Sequence, residues 1–149
     1  MKYMKGLLVL VLVSILACGL VKATSYPVTE SFGAGQATIE VEVNNVGLDP
    51  ANPKNLEKTD ELDVLVTLRL EGFGNITVED VQIEVELKGY DLSDKDKVND
   101  ETDAFNVKVG QVYDKRLSME LPARFDQGKY SLKVRLDSPI DDQTFTFPL

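Results

Sequence analysis

Arg124-Phe125-Asp126-Gln127-Gly128-Lys129-Tyr130-Ser131-Leu132-Lys133-Val134-Arg135-Leu136 is the stretch from which the fold is read. Its second half alternates with period two. Tyr130, Leu132, Val134 and Leu136 fall on one side, and Lys129, Ser131, Lys133 and Arg135 on the other. A helix would scatter these residues around its circumference. A strand collects them into one apolar face and one wet face, the pattern of a half-buried strand in an antiparallel sheet.

Working outward, the same alternation recurs. Val81-Gln82-Ile83-Glu84-Val85-Glu86-Leu87-Lys88 is the cleanest instance, and Leu62, Val64, Val66, Leu68 and Leu70 share one face of a longer one. Ile39, Val41 and Val43 define a strand at 37–43. Phe105, Val107 and Val109 define one at 104–109, Leu117, Met119 and Leu121 one at 113–121, and Phe145 and Phe147 one at 143–147. Pro122 stops the strand before it, because proline cannot donate to a ladder. Asn44 to Thr59, with Gly47, Pro50 and Pro53, reads as a long turn-rich connection, and Gly72-Phe73-Gly74-Asn75 as a tight one. Asp126-x-Gly128-x-Tyr130 has the form of the tyrosine corner of immunoglobulin-like sandwiches, whose hydroxyl bonds back to upstream backbone. The expectation is therefore an all-β protein, an immunoglobulin-like antiparallel β-sandwich of about seven strands. A barrel is the alternative closure of the same strands.

The N-terminus reads differently. Met1-Lys2-Tyr3-Met4-Lys5 is positively charged, Gly6 through Val21 is apolar apart from Ser14, and Val21-Lys22-Ala23 ends in a small residue. Sixteen residues fall short of the about 20 that span a bilayer, so residues 1–23 are expected to be a helical export signal, with a retained anchor as the other reading. Residues 24–36, rich in Ser, Thr and Gly, are expected to be a flexible linker, and 37–149 the sandwich domain. Cys18, the single cysteine, lies in the apolar run. It is either an ordinary residue of that run or, following Ala17, a lipid-attachment site. A lone cysteine forms no intrachain disulfide, so the domain must be held by its core.

Loss of residues 1–23 removes Lys2, Lys5 and Lys22 from 16 basic residues. That leaves 13 against 25 acidic ones, a formal charge of −12. Such a surface repels phosphate backbones and argues against nucleic acid as a partner. The chain has no histidine, which removes the commonest general base and metal ligand. Carboxylate pairs such as Glu84 and Glu86 sit on the wet face of a strand, so a non-enzymatic protein without a cofactor is expected. Two sites stand as candidates. Asp91, Asp94, Asp96, Asp100, Glu101 and Asp103 form an acidic stretch that offers hard oxygen ligands for Ca²⁺ or is a solvated loop, with Lys95 and Lys97 among the acids. Asn75-Ile76-Thr77 is a glycosylation sequon in a glycine-flanked turn.

The order Gly89-Tyr90, acidic loop, Asp100-Glu101-Thr102-Asp103-Ala104-Phe105-Asn106-Val107, Gly110-Gln111-Val112-Tyr113, Leu121-Pro122 and Tyr130-Ser131-Leu132 resembles the S-layer proteins of small-genome archaea. More loosely it is similar to adhesion-related sandwich modules of bacterial surface proteins. The likeness covers about residues 61–136 and implies a β-sandwich behind a signal peptide, exported to the cell surface. What it implies about function is an S-layer or cell-envelope structural and adhesion role, with self-association or other envelope proteins as partners. Membrane contact would then come only through an uncleaved signal or a lipid. Edge strands at 37–43 and 143–147 are the expected association surfaces. A small-ligand or Ca²⁺-dependent carbohydrate-binding module, with Tyr90 beside the acidic loop, is the other function these residues allow. If Asp126, Gly128 and Tyr130 form a corner, Tyr130→Phe costs about 1–2 kcal/mol through loss of one hydroxyl bond, read as a fall in the denaturant midpoint.

Overall fold

The computed structural model describes residues 25–57, 59–89, 97–122 and 127–149. Within them the chain forms ten strands and no helix. These are β1 (Val28–Phe32), β2 (Gly35–Val43), β3 (Val46–Gly47), β4 (Glu61–Glu71), β5 (Thr77–Gly89), β6 (Val98–Glu101), β7 (Phe105–Lys108), β8 (Val112–Glu120), β9 (Tyr130–Ser138) and β10 (Asp141–Pro148). They build two antiparallel sheets. One runs β1-β2-β4-β8, with β3 also on β2. The other runs β10-β9-β5-β6, with β7 also on β5. The expected signal helix, like Cys18, lies outside the described residues.

The long alternations became the central strands. Leu62, Val64, Val66, Leu68 and Leu70 of β4 are all buried, as are Val81, Ile83, Val85 and Leu87 of β5 and Tyr130, Leu132, Val134 and Leu136 of β9. Together with Val41 and Val43, Leu117 and Met119, and Phe145 and Phe147 they form a single apolar cluster between the sheets. Each such side chain contributes on the order of 1.5–3 kcal/mol by leaving water, and here that burial takes the place of covalent cross-links.

Three strands stand where none was expected, which raises seven to ten. Residues 28–32, read as part of a flexible linker, form β1. Gly33 at φ 55° occupies the first central position of a two-residue turn, the place a type II′ turn reserves for glycine, and Phe32 folds back into the core. β3 follows Asn44-Asn45, both left-handed at φ 50° and 64°, the type I′ geometry that matches strand twist. Asn44 also receives the Asp63 amide on its Oδ1 at 2.9 Å, which fixes the start of β4. β6 lies inside the acidic excursion, anchored by buried Val98. β5 begins at Thr77 rather than at Val81, because a bulge carries Glu79 and Asp80 across a slip in register with β7, and Asp80 adopts φ 53°. At the other end of the pattern, β8 stops at Glu120 and leaves Leu121 outside the strand.

One expected edge is not an edge. Residues 37–43 lie in β2, which is covered by β4 on one side and by β1 and β3 on the other, because the linker folded onto it. Residues 143–147 do lie in an outer strand, β10.

Tyr130 opens β9 directly opposite Gly89, the last residue of β5. Its ring lies over that glycine so closely that a Cβ built there would stand 2.0 Å from the ring. An aromatic side chain thus covers backbone that a strand-end glycine leaves bare. Phe73 does the same over Gly35, 2.5 Å from a Cβ there, and packs edge-on against Phe32 at 6.4 Å. Gly89→Ala is expected to force the ring aside and cost about 1–3 kcal/mol in the denaturant midpoint. The cost should shrink in the Gly89→Ala/Tyr130→Ala double variant, a coupling that independent sites would not show.

Candidate functional site

The acids singled out in the sequence divide into two groups. Asp91, Asp94 and Asp96, together with Tyr90, lie outside the described residues, as does Asp126 of the corner motif. Asp100, Glu101 and Asp103 are described. Asp100 sits on β6, and its carboxylate is engaged at both oxygens. Oδ1 accepts the Glu101 amide at 2.9 Å, and Oδ2 accepts the Ser118 amide of β8 at 2.8 Å. That second bond crosses from one sheet to the other and caps an N–H on the outer edge of β8. Glu101 and Asp103 are exposed, and among the described residues no group of three or more His, Cys, Asp or Glu side chains is placed to hold a metal ion.

Thr102, between the two aspartates, is held by β5. Its amide donates to the Ile83 carbonyl at 2.9 Å, its hydroxyl accepts the Ile83 amide at 3.1 Å, and its carbonyl accepts from Gln82 Nε2 at 3.0 Å. Beyond it, Phe105 of β7 meets Tyr113 of β8 at 6.1 Å, and Lys115 Nζ stands 3.9 Å from the Phe105 ring centre. The Tyr113 hydroxyl accepts the Lys108 amide at 2.9 Å. Here the two sheets are fastened to each other by a cation over a ring and by one phenol. Asn75 is exposed in the turn between β4 and β5, with Ile76 beside it 49% exposed, so the sequon faces solvent. Gly128, of the corner motif, is exposed just before β9, and Tyr130 is buried.

A cavity of about 460 Å³ opens at the end of the sandwich where β5 finishes and β9 begins. Its apolar lining comes from Leu56, Leu62, Leu87, Leu121, Tyr130 and Leu149, and its polar lining from Lys54, Asn55, Glu57, Gln127 and Gly128. Leu149 is held there by main-chain bonds with Tyr130, its amide 2.9 Å from the Tyr130 carbonyl. Sequence reasoning passed over the device that sets the 54–57 wall, although Leu48-Asp49-Pro50-Ala51-Asn52 is a signature of an Asx turn. Asp49, only 8% exposed, accepts the Ala51 amide at 2.8 Å and Asn52 Nδ2 at 2.7 Å, and Leu48 beneath it is fully buried. On the same wall Lys54 Nζ lies 5.6 Å from the centre of the Tyr26 ring.

The Asn52 side-chain bond first, then the Ala51 amide and the charge of Lys54, hold the Asp49 carboxyl below the usual aspartate range. A folded-state value below the unfolded one means that the stabilisation is present above the ordinary aspartate range. It is lost as pH falls through the folded value. Asp49→Asn is therefore expected to melt below the parent at neutral pH, and the gap should close on acidification toward the lower carboxylate range. A gap that stays constant with pH would assign the turn to shape rather than charge.

No family model matches the chain, and no curated protein matches it. Among solved structures, the C-terminal domain of wzt is similar, with 14% sequence identity and a TM-score of 0.47 over 85% of this chain and 75% of that one.

Proposed function

We propose that this chain is an exported, non-enzymatic cell-surface protein with an immunoglobulin-like sandwich, acting as an S-layer or cell-envelope structural and adhesion domain. The observation that carries this reading is the use to which its acids are put. Asp100 caps a β8 amide, Asp141 Oδ2 accepts the Gly33 amide at 2.7 Å, Asp49 closes a turn, Asp114 accepts the Thr67 hydroxyl at 2.7 Å, and Asp63 pairs with Arg116 at 2.8 Å. These carboxylates fasten strands, turns and edges instead of converging on a reacting centre, as suits a domain whose task is mechanical. The export-signal pattern of residues 1–23 and the order of motifs over residues 61–136 support the same reading. Partners would be copies of the chain or other envelope proteins.

The cavity favours one second reading, a small-ligand or Ca²⁺-dependent carbohydrate-binding module. Leu87 lines the cavity two residues before Gly89 leads into the acidic stretch that carries Asp91, Asp94, Asp96, Asp100 and Asp103. Fractionation of native cells, followed by light scattering of the purified protein with and without millimolar Ca²⁺, separates the two. Surface-fraction protein that forms ordered oligomers is expected from the envelope role. Cytosolic protein rejects it, and a monomer that binds glycans only with Ca²⁺ selects the module. Absence of calorimetric heat and of any change in melting temperature on adding Ca²⁺ removes the ion.

A further inference from the structure

We infer that the outer edge of β10 pairs antiparallel with β10 of a second copy of this chain, in a register centred on Phe145. The inference rests on the assembly reading above and gives it a surface. Of the outer strands, β6 and β7 are four residues each and β1 is five. β8 is longer, but it is capped by Asp100 and crossed by the Lys115–Phe105 contact. β10 is eight residues long, follows β9 without a bulge from Asp141↔Ser138 to Pro148↔Ser131, and has its acids only at its first two positions. It carries no lysine, a common guard of an edge, and its one inward-side acid, Asp141, is engaged by the Gly33 amide. Among the described residues no strand pairs with its outer side. β1 of the facing sheet lies close to β10 without pairing with it, and the turn after β1 is joined to the beginning of β10 where the Gly33 amide donates to Asp141.

The direction of its free backbone groups follows from the ladder. Ile83 turns both its amide and its carbonyl toward Thr102, so Gln82 and Glu84 bond toward β9. Their partners Asp137 and Arg135 therefore face β5, which leaves Leu136 facing β10 and its partner Gln143 facing back. By alternation Asp142, Thr144 and Thr146 present their N–H and C=O groups outward, and Pro148 its carbonyl alone. Pairing this edge with its own copy about Phe145 sets Thr144 against Thr146 of the second copy, twice, and Asp142 against Pro148. No like charges meet. Asp142 already has Arg135 3.8 Å away, and threonine pairs directly across strands are favourable. A twofold axis makes the contact closed rather than open-ended.

The test is light scattering of the full exported chain over a concentration series, with circular dichroism and melting temperature as fold controls. Thr144 and Thr146 are exposed, so charged replacements leave the core untouched. Thr144→Lys/Thr146→Lys sets lysine against lysine twice across the axis and is expected to weaken association by at least about tenfold. Thr144→Lys/Thr146→Glu sets lysine against glutamate and is expected to retain it, which a register centred on Thr144 would not allow. Thr146→Pro, which removes an outward donor and no ladder bond, should also give monomer. Oligomers that persist in the double-lysine variant overturn the edge assignment while leaving the assembly reading intact. Loss in both double variants overturns the register. A wild-type monomer at every concentration overturns the inference and gives the edge to a different chain, with the surface role still judged by cell fractionation.

Discussion

A sandwich of this kind is limited less by its core than by its margins. Two sheets that each bury one face also leave four outer edges of unpaired amides and carbonyls, and each edge is a template for another strand. The chain deals with them one at a time, with different chemistry at each. A carboxylate on β6 takes the Ser118 amide of β8, a lysine and a phenol join β8 to β7, and two four-residue strands, β6 and β7, are placed outermost beside β5. At the opposite margin β1 lies close to β10, and at the turn ends Asp141 reaches Gly33 and Ile140 packs against the same glycine. Among the described residues no strand pairs with the outer side of β10.

The glycine–aromatic pairs belong to the same economy. Strands that run as far as Gly35 and Gly89 end on residues without side chains, and bare backbone at those ends would admit water to the first layer of the core. Phe73 and Tyr130 cover them. For Tyr130 this gives the residue a role that its sequence motif did not announce. The corner spacing directs attention to its hydroxyl, whereas the structure shows its ring sealing Gly89 and its main chain holding Leu149. Both roles lie at one end of the sandwich, beside the cavity that Tyr130 lines, so loss of the ring would enlarge that opening into the core.

What the sequence disclosed and what it concealed divide along a physical line. Period-two alternation is legible wherever a strand is long and one of its faces is buried, and the centres of β4, β5 and β9 can be drawn from Leu62, Val85 or Leu132, although β5 begins earlier, at Thr77, across its bulge. Strands that exist because a neighbour is present leave no such trace. β1 reads Val-Thr-Glu-Ser-Phe, with only Phe32 fully buried, and its pairing depends on a glycine turn and on the waiting edge of β2. β3 is two residues long and is made by the left-handed pair Asn44-Asn45 rather than by any periodicity. The same holds for the candidate sites. An acidic run marks Asp100 as a carboxylate, but whether it meets a cation or a backbone amide depends on β8, which is distant in sequence and adjacent in space. Asp49 carries the most definite electrostatic signature among the described residues and was passed over because its partners Ala51 and Asn52 are ordinary turn residues.

Charge then decides where association between copies is tolerable. A chain with a formal charge of −9 repels its own kind at separations beyond contact, over about 8 Å at physiological ionic strength. A contact surface must therefore be one where few of those charges approach each other and where the attraction is short-ranged. Backbone pairing meets the second condition, since its hydrogen bonds act only at about 3 Å and are indifferent to net charge. The outer face of β10 meets the first, because Thr144 and Thr146 occupy its centre, and Arg135 lies 3.8 Å from the one acid that remains outward. The acidity of the chain and the charge-free centre of the strand through which it would assemble, Gln143 to Phe147, are thus compatible, and salt, by screening the first, should favour the second.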